Sequence, residues 1–506
     1  MDFIFIQAPT YKQFTGDDGY EERPDAYMPE NISENNEDSL DNDENNEVLN
    51  GYLPHGGLFV AEELIRRGIS VSLLQDTKTK IYKKIDETVT SSTIAIGIST
   101  MSGDMLRHAM DIAKYIREKH PQIPIIWGGA HPTAVRQHTL EHPLVDYIVW
   151  GEGEDVLPNL LDAISSGKGF EKIKGIGYKK DNKAIITERS EYVSLDRVFD
   201  LPYHLLDDMN KFTRKMLIGG NRWLPLMTSR GCPFKCKFCH NTSTVYPMRL
   251  MRLHTLDHIV HNINKLIDDY DVDAIGFEDE LTAANDKRIV EICNAIKGGV
   301  KRDLTYRITT RVDLLLRLQD STLKLMRDTG FVGANYGVES GSQRVLDYMQ
   351  KDITLDQVME ADERLNKFSF YKSFNFMLGL PTETIDEMKM SLSLLSKLLR
   401  NSKKSPYPCS QTPTYLPLPD TALFLQAQMM GFKSPENLEG WTILDNSDVV
   451  GSRKTLRPWL SKEQAEFTVL ADRKVAETSL HFKGKEADHG MIDYALKKFE
   501  KSMGLQ

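Results

Sequence analysis

Three of the chain's five cysteines, Cys232, Cys236 and Cys239, fall within eight residues. They sit in the segment Ser229-Arg230-Gly231-Cys232-Pro233-Phe234-Lys235-Cys236-Lys237-Phe238-Cys239, just after a strand-like run over 224–228. Loops at strand ends are where barrel folds keep their chemistry. Three thiolates on one loop can hold three irons of a 4Fe–4S cluster and leave the fourth iron open to a substrate. A structural zinc ion would need a fourth ligand. His240 is the candidate, but its adjacency to Cys239 makes simultaneous ligation awkward. The remaining alternative is three cysteines without metal, and such clustering of so few cysteines weighs against it.

The spacing Cys-x3-Cys-x2-Cys, with the aromatic Phe238 before the last cysteine, resembles the signature of the radical S-adenosylmethionine (SAM) enzymes. The resemblance implies that the open iron binds the amino and carboxylate groups of SAM. It also implies that one electron from the cluster cleaves SAM to a 5′-deoxyadenosyl radical that abstracts hydrogen. On the same resemblance Glu278 and Asp279 meet the SAM amino group, and Arg311 holds its carboxylate by a two-pronged hydrogen bond. Glu339 and Ser340, in a Gly-x-Glu-Ser-Gly segment, meet the ribose hydroxyls, and Phe238 presents its backbone to the adenine. Pro419-Asp420-Thr421 stands where the family often has Pro-Gly-Thr, a departure on the adenine side.

These residues need a scaffold, and the surrounding pattern supplies one. Strands over 224–228, 274–277, 305–310, 333–338, 373–378 and 411–416 alternate with helical runs. Six such units predict a partial (β/α)6 radical SAM barrel, with the polar residues at its working face.

The N-terminal third alternates in the same way. Strands over 2–9, 70–75, 93–100, 123–127 and 147–150 are continuously apolar, with helices through 58–65 and 105–118. That predicts a doubly wound, Rossmann-like parallel α/β sheet. Ligands of such sheets lie beyond the strands' carboxyl ends. Three loops stand there: Ser99-Thr100-Met101-Ser102-Gly103, Gly128-Gly129-Ala130-His131 and Gly151-Glu152-Gly153-Glu154. Glycine pairs allow a ligand close to the backbone. No Gly-x-Gly-x-x-Gly opens a helix after the first strand, which disfavours a nicotinamide cofactor. The combination resembles the cobalamin-binding domain that precedes the barrel in one branch of radical SAM enzymes. It implies that Ser99, Thr100, Gly128 and Gly129 cradle the nucleotide tail and that Gly151, Glu152 and Gly153 close the sheet. His55 and His131 are nearby candidates for contacts. Gln7-Ala8-Pro9-Thr10-Tyr11 stands where an Asp-x-His-x-x-Gly motif would place a cobalt-ligating histidine, so no lower ligand comes from there.

At 506 residues more than one domain is expected. The pattern divides into a cobalamin-binding-like domain over 1–165, a linker over 166–222 with its own hairpin, a barrel over 223–425 and a helical C-terminal cap over 426–506. Net charge is −10, yet residues 11–50 hold thirteen acids and two bases, a net of −11, which leaves the rest at +1. That segment reads as a mobile acidic surface insertion. Without a basic stripe a nucleic-acid partner is not expected. No apolar run reaches the roughly 18 residues of a membrane helix, and the start reads as a strand, lacking the basic n-region of a signal peptide. Few, clustered cysteines fit a reducing compartment, hence a cytoplasmic protein. Cys293 reads as core; Cys409 precedes the last strand and is either a small buried hydrophobe or a thiol facing the cavity.

Together these readings point to a cobalamin-dependent radical SAM enzyme that methylates an unactivated carbon of a small-molecule biosynthetic intermediate. The alternative is a radical SAM cyclase, dehydratase or epimerase whose cobalamin domain is empty or does not methylate. A third class, a sensor using only the cluster, has no need of the strand-end SAM contacts. The resemblance implies a flavodoxin or ferredoxin as reductant.

Overall fold

The computed structural model describes residues 2–9, 52–216, 220–242, 250–282, 285–402, 410–444, 456–481 and 489–505. The acidic segment 11–50 and Cys409 lie outside the described residues.

Strand β1 (Asp2–Gln7) is buried through its middle, and its side chains alternate between two cores. Phe3 and Phe5 point into one, Ile4 and Ile6 into the other, as a sheet covered by helices on both faces requires. Strands β2 (Ser70–Leu74), β3 (Thr93–Ser99), β4 (Ile125–Gly128) and β5 (Tyr147–Val149) join it in parallel, in the order 2-1-3-4-5. The order reverses between β1 and β3, which places a switch point at their carboxyl ends. A helix at Lys78–Thr88, not foreseen from the sequence, bridges β2 and β3. It buries only Ile81 and Ile85, an i, i+4 pair on an otherwise charged segment.

The hairpin read as part of the linker, β6 (Ile176–Lys180) and β7 (Lys183–Ile186), is the antiparallel edge of this sheet. Its first strand pairs with β5, whose edge would otherwise be open. The segment that follows is a packed strap: Phe199, Leu201 and Tyr203 are fully buried in a core shared by both halves of the chain.

The second sheet holds six parallel strands. They are β9 (Gly220–Leu226), β12 (Ala274–Phe277), β13 (Thr305–Arg311), β14 (Phe331–Glu339), β15 (Tyr371–Phe376) and β16 (Ser410–Gln411). Strand β8 (Arg214–Met216) runs antiparallel on the outer edge of β9. The short strands β10 (Ser229–Arg230) and β11 (Arg252–Leu253) form a separate hairpin beyond β9. Helices begin at side-chain caps on Thr255, Asn285, Thr354 and Thr384, the last two with full capping boxes. These caps fix where each strand-end loop stops and its helix starts.

The C-terminal region is not a single cap. Phe424, Phe432, Leu438, Trp441 and Leu456 complete the core under the first sheet. The helix His489–Ser502 lies on the barrel helix Ile385–Asn401, where Arg400 pairs with Glu500 at 2.7 Å. Among the described residues no helix is long and apolar enough to cross a membrane.

Candidate active site

After Leu226 the chain turns into the β10–β11 hairpin and the three-cysteine loop. Asp279, just past β12, holds that turn. Its Oδ1 accepts the N–H groups of Thr228 at 2.5 Å and Ser229 at 2.9 Å, and Thr228 donates its hydroxyl to Oδ2. Burial pushes the Asp279 carboxyl up to about 6. Its oxygens are thus spent on the loop, where the sequence suggested the SAM amino group. Gly231 has φ +86°, and a Cβ there would lie 2.3 Å from the Leu250 carbonyl oxygen. The Gly231 N–H donates to Glu280 Oε2 at 3.1 Å, which leaves this exposed carboxylate beside Cys232. Glu278 pairs with Arg307 at 2.7 Å instead.

Cys236 is buried, and Cys232 and Cys239 are half-buried. Burial first, with a smaller contribution from neighbouring cysteine thiols, raises the Cys232 thiol and takes Cys239 up to about 11. Arg311, at the end of β13, donates from Nη1 to Cys236 Sγ at 3.3 Å. Its Nε bonds Asp313 at 2.9 Å, its Nη2 bonds the Lys351 carbonyl, and it lies 3.6 Å over the Phe234 ring. The guanidinium therefore grips the cysteine loop, rather than standing free for the SAM carboxylate.

Glu339, at the end of β14, is buried at φ +71° and receives Lys351 Nζ at 2.7 Å. Lys351 lies near Cys239, where its charge offsets part of the burial effect on that thiol. Its Nζ is also 5.8 Å from the centre of the Phe238 ring. Ser340 is buried, 3.3 Å from the Ser391 hydroxyl and accepting the Ser342 N–H at 3.1 Å. Gly341 lets that turn close on the barrel helix, since a Cβ would meet the Met390 carbonyl oxygen at 2.4 Å.

The donor set suits an anionic iron–sulfur cluster. Three thiols share one loop; a guanidinium from the end of β13 donates to the Cys236 sulfur, and an ammonium from the loop after the helix Gln343–Tyr348 lies near Cys239. Among the described residues no trio of His, Cys, Asp or Glu converges on a single metal-ion position.

The second site is a crevice of about 950 Å³, counting its open mouth, at the ends of the first sheet. Phe3, Phe5 and Phe59 make an aromatic slot, and Ser99, Gly128, Gly129, Gly151, Glu152 and Gly153 line it as expected. Gly129, at φ +95°, packs on the Thr100 backbone, where a Cβ would come within 2.6 Å of the carbonyl oxygen. Met227, directly after β9, and Arg230, in the cysteine loop, line the crevice from the barrel side. An apolar, glycine-rimmed slot with polar groups at one end fits the tail and ring edge of cobalamin.

Thr100, His55 and His131 do not line this crevice. Thr100 is buried, its hydroxyl on the Met101 carbonyl. His131 is buried beneath Trp441, with Nδ1 2.8 Å from the Ser102 hydroxyl, and burial lowers it to about 3. It is a packed histidine. Lys351, Glu280 and Arg230 are the site residues that sequence reasoning missed. Arg230 had one signal, its place two residues before Cys232; Lys351 had none.

A parallel α/β sheet with a crevice at its switch point, set against an open six-stranded barrel carrying three thiols, defines a two-part α/β enzyme for a cluster and a second large cofactor. Residues 226–395 match the family model of the radical SAM superfamily, and residues 46–161 match that of the B12 binding domain. An uncharacterized methyltransferase of Pyrococcus horikoshii is 28% identical over 333 residues, covering 65% of this chain and 69% of that protein. The anaerobic magnesium-protoporphyrin IX monomethyl ester cyclase of Rubrivivax gelatinosus is 30% identical over 282 residues, covering 54% of this chain and 49% of the cyclase. The chain thus spans about half of that relative. In overall fold it is similar to the radical SAM methyltransferase TsrM of Kitasatospora setae, solved with cobalamin and a [4Fe-4S] cluster, with TM-score 0.63 at 13% identity, covering 100% of this chain and 99% of TsrM. The chain belongs to the cobalamin-dependent radical SAM enzymes. Its cofactors are a 4Fe–4S cluster, SAM and cobalamin.

Proposed function

We propose that this enzyme methylates an unactivated carbon of a small-molecule biosynthetic intermediate. The observation that carries the reading is the shared wall: Met227, directly after β9, and Arg230, two residues before Cys232, also line the crevice of the first sheet. That shared wall supports a reading in which both cofactors face one space, as hydrogen abstraction followed by methyl delivery demands. When bound, the cluster and SAM supply a carbon-centred radical and cobalamin supplies a methyl group. The chain's own residues do the positioning. Cys232, Cys236 and Cys239 bind the cluster. Arg311 donates a hydrogen bond to the Cys236 sulfur, Lys351 places a positive charge near Cys239, and Asp279 holds the loop to β12. Glu280, exposed beside Cys232, is the carboxylate that remains for the SAM ammonium, since Glu278 is paired with Arg307. Glu339 is oriented by Lys351 toward the ribose side, with the Phe238 backbone at the adenine.

The division 1–165, 166–222, 223–425 and 426–506 is kept with two changes: the hairpin over 176–186 goes with the first sheet, and the C-terminal region is shared between the first sheet's core and the barrel helix. The reductant is a flavodoxin or ferredoxin, and the compartment the cytoplasm, where the thiols stay reduced.

Anaerobic protein with a reconstituted cluster and added hydroxocobalamin is expected to show both chromophores, to cleave SAM, and to release a methylated product. Cys236→Ala should abolish 5′-deoxyadenosine formation; its retention would sink the cluster assignment. The 30% identity to a cyclase favours one second reading, radical ring closure without methylation. Bound cobalamin and 5′-deoxyadenosine with no methylated product would select it.

A further inference from the structure

Arg230 lies where three parts of the molecule meet. Its guanidinium carbon stands 4.4 Å over the Phe59 ring in the wall of the cobalamin crevice. Nη1 pairs with Glu154 at 2.7 Å and lies 3.5 Å from Glu152. Glu152 also binds Arg252, across the β10–β11 hairpin. The side chain is 11% exposed, yet Nε and Nη2 are buried with no hydrogen-bond partner. Such orphaned donors are costly, and a guanidinium offers them in a fixed fork. Two carboxylates and two guanidiniums already balance in charge. A neutral acceptor satisfies the fork without adding an unpaired charge to a buried site, whereas a phosphate would leave one.

We propose that Arg230 donates Nε–H and Nη2–H to amide carbonyl oxygen on the rim of the corrin ring, which ties cobalamin to the loop that carries the cluster. The inference rests on cobalamin binding in this crevice. It makes Arg230 a positioning residue whose occupancy is felt two residues from Cys232.

The test is corrinoid binding by absorbance titration of the full-length, cluster-reconstituted protein, with hydroxocobalamin and with cobinamide as probes. Cobinamide keeps the ring amides and lacks the nucleotide phosphate. Arg230→Gln and Arg230→Lys should each bind both probes roughly tenfold or more weakly, as for loss of buried hydrogen bonds. The lysine keeps the charge for Glu154 and lacks the fork, so wild-type affinity in Arg230→Lys overturns the proposal in favour of a purely structural ion pair. Weaker binding of cobalamin with unchanged binding of cobinamide overturns it in favour of a phosphate contact. Failure of the wild-type protein to bind either probe overturns it together with the cofactor assignment. Thermal unfolding and iron content equal to wild type in Arg230→Lys show that a loss of affinity is local to the fork.

Discussion

Arg311 Nη1 stands 3.3 Å from the sulfur of Cys236, 75 residues away in sequence. A guanidinium donor beside a cluster thiolate stabilises the thiolate and raises the cluster's reduction potential. Arg311→Gln is expected to lower that potential and to reduce cluster retention or SAM cleavage roughly 10- to 100-fold. Redox titration followed by electron paramagnetic resonance, with iron analysis, is the check. An unchanged potential and iron content would show that Arg311 serves only to anchor Asp313 and the Lys351 carbonyl.

Gly337 has no room for a side chain. A Cβ there would lie 2.0 Å from Glu339 Oε1 and 2.8 Å from Lys351 Nζ. Gly337→Ala should break the buried Glu339–Lys351 pair, at a cost of roughly 3 kcal/mol in stability. SAM affinity should fall while cobalamin affinity stays. Chemical denaturation and separate titrations of the two cofactors decide it; equal losses for both would point to general unfolding.

Glu383 sits in the loop after β15, with Oε2 accepting the Gly379 and Leu380 N–H groups at 2.6 and 3.1 Å, and Oε1 unpartnered. Burial pushes its carboxyl up from 4.5 to about 8. The folded state therefore prefers the protonated acid. That contribution is complete below pH 4.5 and is lost as pH rises through about 8. Glu383→Gln keeps an oxygen for both N–H groups and cannot ionise. The variant should gain stability relative to wild type as pH rises across this window. Denaturation midpoints at several pH values that run parallel for the two proteins would refute it.

Trp441 joins the C-terminal segment to the first sheet's helices. It is 3% exposed, its carbonyl accepts the Gly103 N–H at 3.1 Å, and its Nε1 donates to His138 at 3.3 Å. Trp441→Ala should cost about 3–5 kcal/mol. An unchanged denaturation midpoint would mean that the segment is not part of this core.

The chemistry was legible in the sequence because it is local. A cluster held from a single loop needs thiolates close together in the chain, and Cys232, Cys236 and Cys239 fall within eight residues. Close ligand approach needs glycine, so Gly128-Gly129 and Gly151-Glu152-Gly153 marked the crevice. The apolar strands with intervening helices likewise carried the α/β class, both parallel sheets and six barrel strands. What the tertiary structure decided is non-local. Arg311 and Asp279 sit where SAM contacts were expected, but burial beside the cysteine loop left them partners there first. His131 is a candidate for a cofactor contact in the sequence, but Trp441, some three hundred residues on, packs against its ring and it stays out of the crevice. Lys351 carries no motif; it matters because the strand after Gly337 brings Glu339 to it. Arg230 was visible only as a neighbour of Cys232, and its unpartnered N–H groups exist because two glutamates from the first sheet fold against the barrel's loop. Charge pairing across such distances leaves no periodicity in a chain, and only packing can reveal which donors remain free.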